Sequence, residues 1–229
     1  MFERLTLNLA AHRSSYRKML IPSVIYMTVY VIWWWLLERR EVTRYTVIHM
    51  PMDDAIPFLE VFVIPYMAWF VYVVGFVLFF LFTEQKRDYY RLITFLYIGM
   101  TVFLIVSTFQ PNIHELRPHT FARSNLFTAL VRGFYRVDTP TNLWPSIHVY
   151  NAIGVHIAVM ESEFFKTRVR LRFFSLVTCV LIILSTVFIK QHSVFDVLTA
   201  AAMSVILYLI VYQLGEATYE KRRSQNGSF

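Results

Sequence analysis

Long apolar runs broken by short polar segments dominate the chain. Six are read: Leu20 to Leu37, about Phe58 to Phe82, about Leu92 to Phe109, about Ile147 to Met160, about Phe173 to Ile189, and about Val194 to Leu214. A bilayer core about 30 Å thick needs roughly 20 helical residues, and only the fourth run falls well short. The runs are rich in Val, Ile, Phe and Tyr, but they do not alternate as a membrane strand of about 10 residues would. Helices are therefore expected. The longest connection, Gln110 to Trp144, places Leu126, Phe127, Leu130, Val131 and Phe134 on one helical face, with Ser124 as N-cap. That pattern predicts a short amphipathic helix on the membrane surface. The expected fold is all-α: one membrane-embedded domain over residues 1–229, with six transmembrane helices and the amphipathic helix in the outer loop between helices three and four. Cytoplasmic tails are expected over about 1–19 and 215–229.

Composition sharpens this picture. Hydrophobic residues make up 57% of the 229 and charged residues 16%, against about 25% charged in a soluble domain. So apolar a chain is neither disordered nor a soluble monomer. The net charge of +7 comes from basic residues scattered over several loops. They form no single stripe, so no nucleic-acid partner is expected. With the N-terminus inside, most of the 22 Lys and Arg fall on inner segments, which puts both termini in the cytoplasm. Arg117, Arg123, Arg132 and Arg136 run against that trend on the outer side. The first run follows Arg4, Arg13, Arg17 and Lys18 but ends in Trp33-Trp34-Trp35 with no small-residue cleavage site, so it reads as an uncleaved helix. Cys179 stands alone, which excludes an intrachain disulfide and offers no metal site.

Three polar segments sit where helices begin or end, and the topology brings all three to the outer face. His192 and Asp196 are four apart and share a helix face. The carboxylate can hold one imidazole nitrogen and leave the other free as nucleophile or base. Pro145-Ser146-Ile147-His148 opens the fourth helix, where free N–H groups favour an anion and His148 can protonate a leaving oxygen. Arg117 offers a guanidinium for bidentate contact with phosphate. Singly, the three also fit a helix-capping Asp, an interfacial His and an Arg reaching for headgroups. Asp53 and Asp54 read as a solvated loop. His12, His49 and His156 read as packing or surface residues.

Taken together, the segments resemble the type 2 phosphatidic acid phosphatase superfamily, in its integral membrane branch. Its pattern is Lys-x6-Arg-Pro, then Pro-Ser-x-His, then Ser-Arg-x5-His-x3-Asp. Arg117-Pro118, Pro145-Ser146-Ile147-His148, and Ser185, His192 and Asp196 match at those spacings. Gln110 and Thr186 replace the family's Lys and Arg. The resemblance covers the chain from helix three onward. It implies a metal-independent, cofactor-free lipid phosphatase with His192 as nucleophile, Asp196 orienting it and His148 as acid and then base. Arg117 and Ser146 would hold the phosphate, with Gln110, Ser185, Thr186 and Lys190 as further candidate ligands. Arg123, Arg132 or His114 could also stand in for the two missing cations. The substrate would be a phosphatidic acid, phosphatidylglycerophosphate or polyprenyl diphosphate type of lipid, met at the outer face of a plasma or inner membrane. A lipid phosphotransferase of the sphingomyelin or inositol phosphorylceramide synthase type is the alternative. A non-catalytic transporter is a third possibility. The geometric expectation is that His148 and His192 face each other across a gap one phosphate wide.

Overall fold

Apolar length determines the architecture. Five helical stretches are long and apolar enough to cross a membrane: residues 16–39, 60–82, 86–109, 169–188 and 194–214. They lie in α1 (Phe2–Arg39), α3 (Val63–Phe82) with the 3-10 turn before it, α4 (Lys86–Phe109), α7 (Val169–Phe188) and α8 (Val194–Tyr208) with the π-helical turn after it, and the short helix α2 (Pro51–Ala55) lies between α1 and α3. The structure, a computed structural model, describes residues 2–83 and 85–215, with side chains from Tyr16 onward. The tail expected over 215–229 lies, beyond Gly215, outside the described residues, as do the side chains of Arg4, His12 and Arg13. Rows of Val, Ile, Leu and Phe on α1, α3, α7 and α8 face outward. That distribution suits hydrocarbon surroundings, in which the helical backbone satisfies its own polar groups.

The fourth apolar run forms α6 (Ile147–Glu161), with 15 residues. At 1.5 Å per residue it is about 22 Å long, short of a 30 Å core. It packs against α3, α4, α7 and α8 at the centre of the bundle, and Val149, Tyr150, Ala152, Val155 and Val159 are fully buried. Being screened from lipid, it can carry polar residues. Its approach to α4 depends on two glycines. A Cβ on Gly154 would lie 2.6 Å from the Phe95 ring, and one on Gly99 would meet the Tyr150 ring. Phe95 and Tyr150 stack with centroids 4.7 Å apart and planes 1° from parallel.

The fold is mostly helical, and the all-α expectation missed one small ladder. β1 (Thr46–Val47) pairs in parallel with β2 (Asn112–Ile113), and Ile113 bridges antiparallel to Thr141. Buried Asn112 ties this junction together, its Oδ1 accepting from Leu143 N at 2.7 Å and Trp144 N at 3.1 Å. Asn142 sits in the left-handed region at φ 54°, a conformation Asn tolerates well, and donates to Glu38 Oε1 at 3.1 Å. Three loops are thereby fixed at one end of the bundle.

The amphipathic segment is α5 (Leu126–Val137). Its N-cap is Asn125, not the expected Ser124: Asn125 Oδ1 accepts from Thr128 N at 2.9 Å, while Thr128 Oγ1 accepts from Asn125 N at 3.0 Å. Its apolar face packs on Val63, Tyr66 and Ile189. The helix therefore covers the end of the bundle, whereas the sequence had suggested that this face lies against lipid.

Candidate functional site

The α7–α8 junction aims His192. After Phe188 the chain turns back, Lys190 taking φ 53°, and Gln191 N and His192 N both donate to Thr186 O, at 2.9 and 3.0 Å. These bonds satisfy a carbonyl left open at the helix end. α8 then starts with a capping box. Ser193 Oγ accepts from Phe195 N at 3.1 Å, and Asp196 Oδ2 accepts from Ser193 N at 3.0 Å. The same Oδ2 accepts from His192 Nδ1 at 3.2 Å. Asp196 is fully buried and His192 is 4% exposed. This bond fixes the proton on Nδ1 and leaves Nε2 as the reactive nitrogen.

His148 stands in the first turn of α6. Ser146 caps that helix, its Oγ accepting from Val149 N at 3.3 Å. The Ser146 hydroxyl is buried and serves the helix end. His148 Nδ1 lies 3.2 Å from His192 Nε2. The two histidines thus come together from segments 44 residues apart, but in direct contact, without the expected phosphate-wide gap. Arg117 joins through Gln191, donating to its Oε1 and to Tyr135 O at 3.3 Å. Its guanidinium lies 4.3 Å over the Tyr135 ring, and its buried Nε has no partner.

Three participants escaped the sequence reading. The Tyr66 hydroxyl lies 3.0 Å from His148 Nε2 and 3.4 Å from Asp138 Oδ2. Gln191 Nε2 donates to that same Oδ2 at 3.4 Å. A hydrogen-bonded chain thus runs Asp138–Tyr66–His148–His192–Asp196, with Gln191 linking Asp138 to Arg117. Burial raises the Asp138 carboxyl above the usual range, while charge at His192 and Arg117 opposes the rise. Asp138 follows α5 and Gln191 precedes His192, so the only sequence hint was proximity to recognised segments. Tyr66, inside an apolar run, carried none.

The remaining candidates lie apart from this chain. Ser185 and Thr186 bond back to Ile182 O and Ile183 O, at 2.6 and 2.7 Å. Gln110 ends α4 with an exposed side chain. Lys190 Nζ is held by Asp53 O and Ile56 O, at 2.7 and 2.6 Å. Arg123 lies 3.7 Å from Glu60, and Arg132 stacks 4.9 Å over Phe121. Asp53 corrects the solvated-loop reading. It is 2% exposed and accepts from Ser193 Oγ at 2.5 Å and Val194 N at 2.7 Å. A carboxylate at the start of α8 is favourable for the helix dipole. His156 meets Ser175 Oγ at 3.1 Å, and His49 meets Asp54 at 3.0 Å. Among the described residues no group of three or more His, Cys, Asp or Glu could hold a metal ion. No protein-family model, curated protein or solved structure matches the chain.

His114 lies beside the chain and gives it a pH dependence. Leu116 N donates to its Nδ1 at 3.2 Å, so Nε2 carries the proton and donates to Gln191 O at 3.0 Å. Burial, reinforced by the charges of His192 and Arg117, pushes its pKa down to about 3. The unfolded chain takes up this proton near pH 6.5 and the folded chain does not. The contribution to stability is full above 6.5 and is lost as pH falls toward 3. At pH 5 the loss is about 2 kcal/mol. Thermal unfolding in detergent should therefore show His114→Gln losing less stability between pH 7 and 5 than the parent. Identical losses would refute the assignment.

Proposed function

We propose that the protein is a membrane lipid phosphatase working through a phosphohistidine. One observation carries the reading. Three segments distant in sequence converge into a single hydrogen-bonded chain in which a buried Asp–His pair meets a second His, with an Arg one residue away. In this reading α6 is the sixth span, both termini are cytoplasmic, and the site lies at the outer face of a plasma or inner membrane. His192 Nε2 attacks phosphorus and the P–O bond to the lipid alcohol breaks. His148 gives that oxygen its proton. Water then attacks phosphorus, His148 takes the water proton, the P–N bond breaks, and inorganic phosphate leaves. Asp196 orients His192 and stabilises the cation it becomes. Arg117 bears on the phosphoryl oxygens. Substrate must first part the two histidines, so their contact is the resting state.

A phosphotransferase shares every step up to the phosphohistidine. Gln110 and Thr186 in place of two cations, with the Thr186 hydroxyl turned back on its own helix, favour this second reading. The test is radiolabelled lipid phosphate given to purified protein in detergent, with and without an acceptor alcohol. Release of inorganic phosphate without acceptor is the expected result. Turnover only when acceptor is present, with label in the new diester, would replace phosphatase by transferase. No turnover in either arm would refute both.

A further inference from the structure

The end of the bundle opposite the histidine pair holds a groove of its own. α4 covers 24 residues, about 36 Å at 1.5 Å per residue, and its last turn leads into the loop junction around Asn112 at the histidine end. Its first turns, at the far end, meet the π-helical turn Leu209–Leu214 that follows α8. The groove between them has a volume of about 760 Å³, within the range of roughly 300–1,000 Å³ of small-molecule sites.

The lining changes character with depth on both walls. On α4 it passes from Lys86, Arg87 and Arg91 through the hydroxyls of Tyr90 and Thr94 to Ile98. These positions share one helix face and span about 18 Å. Arg91 sets the walls level, donating to Tyr212 O at 3.4 Å and lying 5.3 Å over the Tyr212 ring. On the facing wall Gly215 therefore stands toward Lys86, and Val211 and Ile210 stand toward Ile98. None of the described lining residues is acidic, and Asp88, the acid of the same turn, is not one of them.

A cationic mouth, a hydroxyl collar and an apolar slot repeat the order of an anionic phospholipid: phosphate, ester, acyl chain. A guanidinium binds phosphate oxygens in pairs, and hydroxyls can donate to ester carbonyls. Basic pockets between transmembrane helices suit anionic headgroups. A zwitterionic headgroup brings its own cation to the same mouth and gains less.

We propose that this groove binds one anionic phospholipid, its phosphate among Lys86, Arg87 and Arg91 and an acyl chain along Ile98, Val211 and Ile210. The site stands apart from the histidine pair and does not rest on the phosphatase reading.

The test is competition in detergent between phosphatidylglycerol and phosphatidylcholine with matched acyl chains, the lipids retained being counted by native mass spectrometry. The parent should favour phosphatidylglycerol by about tenfold or more, since each cation beside a lipid phosphate contributes a factor of about five. Lys86→Gln combined with Arg87→Gln should cut that preference about fivefold or more. Thr94→Trp, which fills the groove and leaves every charge in place, should cut it as far. Lys166→Gln combined with Arg170→Gln removes two charges at the same end of the bundle but outside the groove, and should leave it unchanged. Protein lost to misfolding retains less of both lipids and leaves the ratio as it was. Equal retention by the parent overturns the proposal. So does an equal fall in the Lys166 and Arg170 variant, which would make the effect one of general surface charge, or a preference that survives Thr94→Trp. Glycerophosphoglycerol, the same headgroup without chains, should not displace the lipid at equal concentration; displacement would make this a phosphate site and not a lipid site.

Discussion

His192→Ala protein should lose turnover by about 10⁴-fold or more, the scale seen when a covalent nucleophile is removed. Among the described residues no other imidazole at the site is paired with a carboxylate. In the proposed mechanism the attacking lone pair belongs to Nε2, and His148, 3.2 Å away, has no carboxylate bonded directly to it as Asp196 is to His192. Trapping with labelled substrate should leave the parent protein with label stable in alkali and lost in acid, the behaviour of a P–N bond. The variant should carry none. Asp196→Asn should retain more activity than His192→Ala, because in the proposed mechanism the carboxylate orients and does not react. His148→Ala should slow both steps, least for a substrate with a good leaving group. Full turnover in His192→Ala protein would end the phosphohistidine mechanism.

The second large effect is on folding. Gly154→Ala should destabilise by about 1–3 kcal/mol, the usual range for overpacking, because its Cβ would lie 2.6 Å from the Phe95 ring. Phe95 cannot move aside freely: it is fully buried and stacked on Tyr150. Tyr150 in turn donates to Phe95 O at 2.6 Å. Gly154→Leu should prevent α4 and α6 from meeting and leave protein that aggregates on extraction. Gly75, with nothing within 4 Å of its Cβ position, is the control: Gly75→Ala should match the parent. Size-exclusion profiles and thermal unfolding in detergent decide it. Parent-like unfolding of Gly154→Leu would show that the helices have room the structure does not give them.

What was legible in the sequence follows from the same physics. Helices facing lipid must be long and apolar, so five announced themselves by composition. The fourth run looked deficient because α6 is shielded by its neighbours, and shielding is a tertiary property. His148, His192 and Asp196 were visible because spacing along a helix start constrains them, and Arg117 because it runs against the positive-inside trend. Tyr66 was not, since an aromatic residue in an apolar run reads as packing whatever it touches. Asp53 was misread for a related reason. Two adjacent acids between apolar runs look solvated until the short helix that carries them, α2, folds onto the start of α8. Lys190 looked free to bind phosphate, but its left-handed backbone turns the ammonium onto the carbonyls of that same segment.

The shielding of α6 also bears on how the chain is assembled. A segment of 15 residues holding His148, Asn151 and His156 partitions poorly into lipid alone, since polar side chains are penalised there. Its shelter is supplied by α3 and α4, made before it, and by α7 and α8, made after it. If α6 is a sixth span, it is expected to insert stably only together with α7 and α8. Chains ending before α8 should leave α6 outside the bilayer. The histidine pair, whose members lie on either side of α7, forms only when α6 and the start of α8 are both in place.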